Sequence, residues 1–175
     1  MTKTGKSSSD ASALGRGSAG RCVRPGIYLG LILGAMLLGG CTQPEVRFAD
    51  GSDGDWAQWH GRWILINYWA EWCAPCREEI PELNRLHQER DAMNLVVMGV
   101  NFDGLQGEAL TGLIERMGIE FPVLLQDPRA RWSQDLPSVL PSTLVIDPAG
   151  NLRTVLVGPQ TYESLSNALQ ATLSM

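Results

Sequence analysis

The sequence predicts an α/β fold in which a mixed sheet carries helices on both faces. Two nearly continuous apolar runs, residues 63–69 and 95–101, have the length and composition of strands that are buried on both sides. Between these runs, residues 75–88 place apolar side chains three and four positions apart, as on one face of a helix. A strand, a helix and a second strand of this kind form a parallel βαβ unit with a right-handed crossover.

The rest of the chain adds elements to this unit. A helix is predicted over 109–117, where a glycine ends it, and a short strand-like piece follows at 121–125. Residues 143–147 and 152–157, joined by a Pro-Ala-Gly turn, form a β-hairpin. An amphipathic helix over 161–173 is the last element. The order β-α-β-(α-β)-β-β-α therefore indicates a mixed sheet with an extra helix–strand insert.

The first 40 residues have the pattern of a signal peptide that directs export. Residues 27–40 form an uncharged run of fourteen residues with Arg21 and Arg24 before it. This run is shorter than the about 20 apolar residues that a membrane-spanning helix needs. Its four glycines and its basic flank also fit poorly with a buried core helix. We therefore predict that the chain is exported.

The end of this run, Leu-Gly-Gly-Cys at 38–41, resembles the lipobox of bacterial lipoproteins. The resemblance implies cleavage before Cys41 and a lipid on Cys41, whose acyl chains anchor the protein by about 0.8 kcal/mol per buried methylene. We expect a lipoprotein signal peptide over 1–40, a lipidated tether over 41–55 and the folded domain over 56–175. The domain is expected on the extracytoplasmic side of the envelope, which is the periplasm where a cell has two membranes. A signal peptide that merely ends beside a cysteine is the alternative.

Export also changes the charge and the thiol count of the mature chain. Of 14 Lys or Arg and 19 Asp or Glu, residues 1–40 hold five and one, so the remainder has nine basic and eighteen acidic residues and a net charge of −9. This acidity argues against nucleic acid as a partner, because phosphate contacts need a basic face. Cys22 leaves with the signal and Cys41 carries lipid, so only Cys73 and Cys76 remain as thiols.

Cys73 and Cys76 have the Cys-x-x-Cys spacing, which serves metal sites, structural disulfides and redox exchange. Structural zinc needs four Cys or His ligands, and the two histidines, His60 and His87, lack ligand spacing to this pair, so no metal is expected. A structural disulfide across so short a loop adds little stability. Cys73 is expected at a helix N-terminus, which favours a thiolate nucleophile. Cys76, one turn further, is placed to resolve a mixed disulfide, so redox exchange is the favoured interpretation.

The sequence Trp-Cys-Ala-Pro-Cys at 72–76 after Asn-Tyr-Trp-Ala at 67–70 resembles the active site of the thioredoxin superfamily. The stretches at 76–83 and 140–147 resemble its membrane-tethered TlpA/ResA-like, cytochrome c-biogenesis branch. The resemblance covers about residues 45–173 and implies a thioredoxin-like fold and thiol–disulfide oxidoreductase activity without a cofactor. It implies a reductive direction, with electrons from a membrane thiol donor. The implied substrates are disulfide-bearing envelope proteins, among them apocytochrome c.

The resemblance also assigns roles to residues around the cysteine pair. It implies that Pro141 is the family's cis-proline and that the backbone at Leu140 pairs with an incoming peptide. Trp72 would shape the docking surface. Glu79, three residues after Cys76 and on the same helix face, would manage the protons of the thiols. A solvated glutamate on the helix surface is the alternative for Glu79.

Asn67 marks a departure from ordinary thioredoxins, which carry a buried, proton-accepting Asp at the matching position. Asn does not titrate, so the proton-accepting task moves to Glu79 or to water. Glu78 points to a different side of the helix and is expected to be a surface residue. Two alternative functions stay open: a thiol peroxidase on the same fold, and a binding lipoprotein that does not use its thiols.

Overall fold

The computed structural model describes residues 45–171 of the chain. The predicted signal peptide over 1–40, the lipidation site at Cys41 and residues 172–175 lie outside the described residues. None of the helices within 45–171 combines the length and the apolar character that crossing a bilayer requires.

The described chain contains seven strands and three α-helices, together with two short 3₁₀ turns. The strands are β1 (Val46–Arg47), β2 (Asp53–Gly54), β3 (Trp63–Trp69), β4 (Leu95–Asn101), β5 (Val123–Leu124), β6 (Ser142–Ile146) and β7 (Leu152–Val157). The helices are α1 (Ala74–Gln88), α2 (Gly107–Met117) and α3 (Tyr162–Ala171), and the 3₁₀ turns are Trp56–Trp59 and Arg129–Trp132.

A five-stranded mixed sheet with the order β5-β4-β3-β6-β7 forms the centre of the domain. β3 lies in the middle, parallel to β4 and antiparallel to β6. Every residue of β3 is buried, as the continuous apolar run predicted. The predicted bounds of β3 and β4 are confirmed, and the predicted helix–strand insert is present as α2 and β5.

All three α-helices pack on one face of the sheet. Leu83 of α1, Leu113 of α2 and Leu165 of α3 belong to one apolar cluster with Leu65 of β3. Within residues 45–171, the cluster on the other face includes no residue of an α-helix. The mixed, thioredoxin-like sheet is confirmed, but the expectation of helices on both faces needs this correction. The path β3-α1-β4-α2-β5 crosses the sheet in one direction, and right-handed crossovers in one direction place both helices on the same side.

The second face is covered by the β1–β2 hairpin and the two 3₁₀ turns. Val46 and Phe48 are buried in the cluster on this face. The backbone N–H of Ala49 donates to the carbonyl of Val123 at 2.8 Å, so the segment after β1 is joined to β5. The predicted tether over 41–55 therefore includes a segment that is part of the folded domain, because two buried apolar side chains in a polar stretch suffice to dock it.

Candidate active site

The two cysteines form a disulfide at the N-terminus of α1. Cys73 is the N-cap residue, and its Sγ accepts a hydrogen bond from the backbone N–H of Cys76 at 3.2 Å. Pro75 lies in the first turn, where a missing N–H breaks no helical hydrogen bond. Both cysteines are buried in the apolar cluster under the helices. A sulfur at this position lies at the positive end of the helix dipole, which stabilises negative charge on it.

The peptide bond between Leu140 and Pro141 is cis, as the resemblance implied. Tyr68 lies beside Ser142 in the antiparallel pair of β3 and β6. Pro141 therefore lies at the end of the sheet where β3 ends and the cysteine loop begins. Leu140 packs against the cluster that contains both cysteines. The carbonyl of Pro141 accepts a hydrogen bond from the N–H of Gly158 at 2.9 Å. Peptide binding by this segment stays a prediction.

Glu79 is buried one helical turn beyond Cys76, with 1% of its surface exposed. Its Oε2 accepts a hydrogen bond from Nδ2 of Asn67 at 3.1 Å, and its Oε1 accepts one from the backbone N–H of Gln160 at 3.3 Å. Burial raises the pKa of Glu79 to about 7, against the lowering effect of these two hydrogen bonds. The alternative of a solvated surface glutamate is thereby excluded. Near neutral pH this carboxyl group is therefore partly protonated.

The amide of Asn67 links Glu79 to the neighbouring strand. Its Nδ2 also donates to Oγ1 of Thr143 at 2.9 Å, and both residues are buried. No role for Thr143 was predicted from the sequence. A usable signal was present, because Thr143 is a polar residue in the mostly apolar strand that begins directly after Pro141. The backbone contact of Gln160 gave no such signal, because it lies 81 residues from Glu79 and does not depend on side-chain type.

Trp72 lies at the surface beside the disulfide, with 63% of its area exposed. Its Nε1 donates to both carboxylate oxygens of Asp103, at 3.1 Å and 3.2 Å. The ring of Phe102 meets the Trp72 ring edge-on, with 6.1 Å between centroids. Phe102 and Asp103 directly follow β4, whereas Trp72 follows the neighbouring strand β3. The loop after β4 therefore holds the side chain of Trp72 in place. Glu78 is exposed, as predicted.

The AhpC/TSA family model matches residues 42–155, which is more than half of the chain. The chain belongs to the AhpC/TSA family. Among its relatives, thiol-disulfide oxidoreductase ResA of Geobacillus kaustophilus is 25% identical over 134 residues, covering 75% of this chain and 76% of the relative. Thiol:disulfide interchange protein HelX of Rhodobacter capsulatus is 34% identical over 115 residues, covering 65% of this chain and 62% of the relative.

Solved structures support the fold assignment of this AhpC/TSA family member. A putative thiol:disulfide interchange protein DsbE from Chlorobium tepidum has a TM-score of 0.55 at 24% identity, covering 74% of this chain and 89% of that one. A secreted thiol-disulfide isomerase from Corynebacterium glutamicum has a TM-score of 0.61 at 22% identity, covering 74% and 82%. At these identities the likeness shows the thioredoxin-like fold alone.

The chain is a thiol–disulfide oxidoreductase. Two observations carry this conclusion: the Cys-x-x-Cys pair forms a disulfide at a helix N-terminus, and the matched relatives ResA and HelX are named for thiol–disulfide chemistry. The same names favour this activity over the thiol peroxidase alternative within the AhpC/TSA family.

Proposed function

We propose that this AhpC/TSA family member reduces disulfide bonds of proteins in the cell envelope, with Cys73 as the attacking thiol and Cys76 as the resolving thiol. The observation that carries the proposal is the Cys73–Cys76 disulfide at the N-terminus of α1, one turn before the buried carboxyl group of Glu79. The described disulfide corresponds to the oxidised enzyme, which is the product of the reaction.

In the first step, the reduced enzyme attacks its substrate. The Cys73 thiolate bonds to one sulfur of the substrate disulfide, the substrate S–S bond breaks, and the second substrate sulfur leaves as a thiolate that takes up a proton. The N–H of Cys76 and the dipole of α1 favour negative charge on Cys73 Sγ. The enzyme and substrate are then joined by a mixed disulfide.

In the second step, Cys76 resolves the mixed disulfide. The ionised Glu79 takes the proton of the Cys76 thiol, and the new thiolate attacks Cys73 Sγ. The bond between Cys73 and the substrate breaks, and the released substrate thiolate takes up a proton. Two electrons pass from the enzyme to the substrate, and the enzyme is left with the disulfide. A pKa of about 7 suits Glu79 to this task, because the carboxyl group both accepts and returns a proton near neutral pH.

Three further residues are assigned to substrate binding. The backbone at Leu140, directly before Pro141, pairs with the substrate segment that carries the disulfide. Trp72 offers the largest exposed apolar surface beside Cys73 and contacts the same segment. Hydrogen bonds to Asp103 hold the indole in place for this contact.

Anchoring and partners complete the proposal. A lipid on Cys41 holds the domain to a membrane on its extracytoplasmic side, and a membrane thiol donor returns electrons to the oxidised pair. Apocytochrome c thiols before haem attachment are one substrate class and other envelope disulfides are another. The similarity to ResA and HelX supports thiol–disulfide chemistry, and the sequence pattern at 38–41 supports the anchor.

Reduction of insulin disulfides with excess dithiothreitol tests the activity. The wild-type chain is expected to accelerate the reaction, and Cys73→Ser and Cys76→Ser are expected to remove most of the acceleration. Equal rates with all three proteins would contradict the proposal and favour a binding protein that does not use its thiols. The reductive direction is tested by equilibrating the pair with glutathione. A potential nearer about −270 mV, as in thioredoxin, supports reduction, and one nearer about −120 mV, as in strong oxidants, contradicts it.

A further inference from the structure

A group of aromatic side chains lies at the end of the sheet opposite the disulfide. We call Glu45, Trp56, Trp59, Arg131 and Trp132 the tryptophan pole. The Trp56 ring meets Trp59 and Trp132 edge-on, with centroids 5.2 Å and 5.4 Å apart. Arg131 lies 5.3 Å above the Trp56 ring and 3.9 Å from the carboxylate of Glu45. The five side chains line one open cavity of about 330 Å³.

The sheet itself separates this cavity from the cysteines. Ile64 near the start of β3 and Ile146 at the end of β6 line the cavity. The cysteine loop follows the other end of β3, after Trp69. The seven residues of β3 extend over about 20 Å at the usual rise of a strand. The tryptophan pole and the disulfide therefore lie at opposite ends of the sheet, measured along its strands.

The chain enters the folded domain at this pole. Glu45 lies in the wall of the cavity, and Cys41 precedes it by four residues. Four residues reach at most about 14 Å when fully extended. A lipid on Cys41 would therefore hold the tryptophan pole within one short tether length of the bilayer. The opposite end of the sheet, with the disulfide, lies beyond that reach.

The chemistry of the pole suits the headgroup region of a bilayer. All three indole rings are partly exposed, and the N–H groups of Trp56 and Trp59 are neither buried nor hydrogen-bonded within residues 45–171. Tryptophan is enriched at membrane interfaces because its ring is apolar while its N–H binds polar groups.

Ion pairs offset two of the three carboxylates in the cavity wall, and the third, Asp55, accepts a hydrogen bond from the backbone N–H of Ala57. Glu45 pairs with Arg131, and Asp147 in the cavity wall pairs with Arg153 at 2.7 Å. Residues 41–175 carry a net charge of −9, so an anionic surface repels most of the domain. Because two arginines offset two of the three carboxylates, the cavity at the tryptophan pole carries little net charge and is suited to approach such a surface.

We propose that the tryptophan pole docks on the phospholipid surface that holds Cys41, with Trp56, Trp59 and Trp132 at the level of the headgroups. The disulfide then faces away from the bilayer. This proposal rests on the lipid anchor of the proposed function, and it is independent of the thiol chemistry. It also constrains the electron donor, which must present its own thiols above the membrane surface at the far side of the domain.

Fluorescence quenching by brominated lipids tests this orientation. The full lipidated chain is reconstituted in phosphatidylcholine vesicles, with or without bromine on the acyl carbons nearest the headgroup. We expect clear quenching of the wild-type protein by the brominated vesicles. The double substitution Trp56→Phe with Trp132→Phe is expected to lose a large part of this quenching, and Trp59 is expected to give the remainder. Trp72→Phe is the matched control, and it is expected to keep the quenching because Trp72 lies beside the disulfide.

Three outcomes overturn the proposal. Quenching that is lost in Trp72→Phe and kept in the double variant means that the disulfide end faces the membrane. Vesicle-bound wild-type protein without quenching means that the domain does not touch the surface. A wild-type chain that fails to float with vesicles, as expected of Cys41→Ser, removes the tether on which the orientation depends. Insulin reduction in solution, measured on the same samples, shows separately whether the thiol–disulfide function holds.

Amide hydrogen exchange covers the case in which the double variant is unstable. The wild-type chain is compared on lipid nanodiscs and in detergent micelles. Slower exchange on nanodiscs at the 3₁₀ turns Trp56–Trp59 and Arg129–Trp132 is the expected result. Slower exchange around residues 72–76 instead would contradict the proposed orientation.

Discussion

Nδ2 of Asn67 donates a hydrogen bond to Oε2 of Glu79 across the gap between β3 and α1, at 3.1 Å. The same nitrogen donates to Thr143 on β6, so one neutral amide joins the helix that carries the cysteines to two strands. An amide at this position supports the neighbouring carboxylate without adding a second titrating group. Of these two residues, only Glu79 can therefore take up or release a proton.

The raised pKa of Glu79 predicts that the stability of the oxidised protein depends on pH. The folded state binds this proton with a pKa of about 7, against 4.5 for the ordinary group. Between these values the folded state holds more protons than the unfolded state, so the free energy of unfolding falls as pH rises and is constant above about pH 7. The loss from this one group is about 3 kcal/mol. Urea unfolding of the oxidised protein from pH 4 to pH 8 measures it.

Glu79→Gln removes the titration while it keeps a hydrogen-bonding group at the same position. We expect the variant to lose this part of the pH dependence and to be more stable than the wild type at pH 8, because a neutral amide is buried at a lower cost than a carboxylate. Glu78→Gln, one position away on the exposed surface, is the control and is expected to keep the wild-type slope. An unchanged slope in Glu79→Gln would show that another group causes it.

The same pair of variants tests proton transfer in catalysis. Glu79→Gln is expected to slow the resolution of the mixed disulfide about 100-fold near pH 7, since general base catalysis contributes on that order. The rate of the wild type is expected to rise through pH 7 as Glu79 ionises, and the rate of the variant is expected to lack this rise. Stopped-flow measurement of substrate release gives both rates. Glu78→Gln should match the wild type, and a Glu79→Gln enzyme that does so too would remove Glu79 from the mechanism.

Thr143→Val tests the hydrogen bond that orients Asn67. The substitution keeps the shape of the side chain but leaves a buried N–H of Asn67 without its acceptor, which costs about 1 to 3 kcal/mol of unfolding free energy. In an Asn67→Leu background the donor is already absent, so Thr143→Val is expected to cost almost nothing. Urea unfolding of the four proteins gives the coupling energy. Equal costs in the two backgrounds would mean that the hydrogen bond does not contribute.

Asp103 is predicted to act as a positioning residue for Trp72. Asp103→Ala frees the exposed indole, and ordering it again on binding raises KM for a protein disulfide about 2- to 10-fold while kcat changes little. Asp103→Asn keeps an acceptor oxygen for the indole and should retain most of the wild-type KM. Reduction of a small disulfide such as cystine should change less, because it has less surface to place against Trp72. A loss of kcat with both substrates would indicate a general structural defect instead.

Much of the fold follows from local sequence patterns. The bounds of β3 and β4 were predicted because strands buried on both faces leave uninterrupted apolar runs. The end of α2 was predicted from Gly118, which adopts a left-handed conformation with φ of 66°. The arrangement of the helices was predicted wrongly, as lying on both faces of the sheet, because it depends on the direction in which β5 is added to the sheet. No local pattern reports that direction.

The candidate site was predicted to a similar extent. The cysteine pair and the cis bond at Pro141 lie in short motifs, and the structure contains both features. Burial of Glu79 was open, since a glutamate at that helical position faces either water or the sheet. Packing of α1 on β3 decides the question, because it places Glu79 against Asn67. The contact from Gln160 comes from a distant loop and required the folded structure.

The order of the two thiols is the central claim, and titration of the reduced enzyme with 5,5′-dithiobis(2-nitrobenzoate) tests it most directly. The mature chain, or a chain with Cys22 and Cys41 replaced by Ser, is used so that only Cys73 and Cys76 react. Cys76→Ser should rapidly release one thionitrobenzoate and keep the other as a stable mixed disulfide on Cys73. The wild type should release two and close the Cys73–Cys76 disulfide. A fast, stable adduct in Cys73→Ser, with a slow reaction in Cys76→Ser, would contradict the assignment.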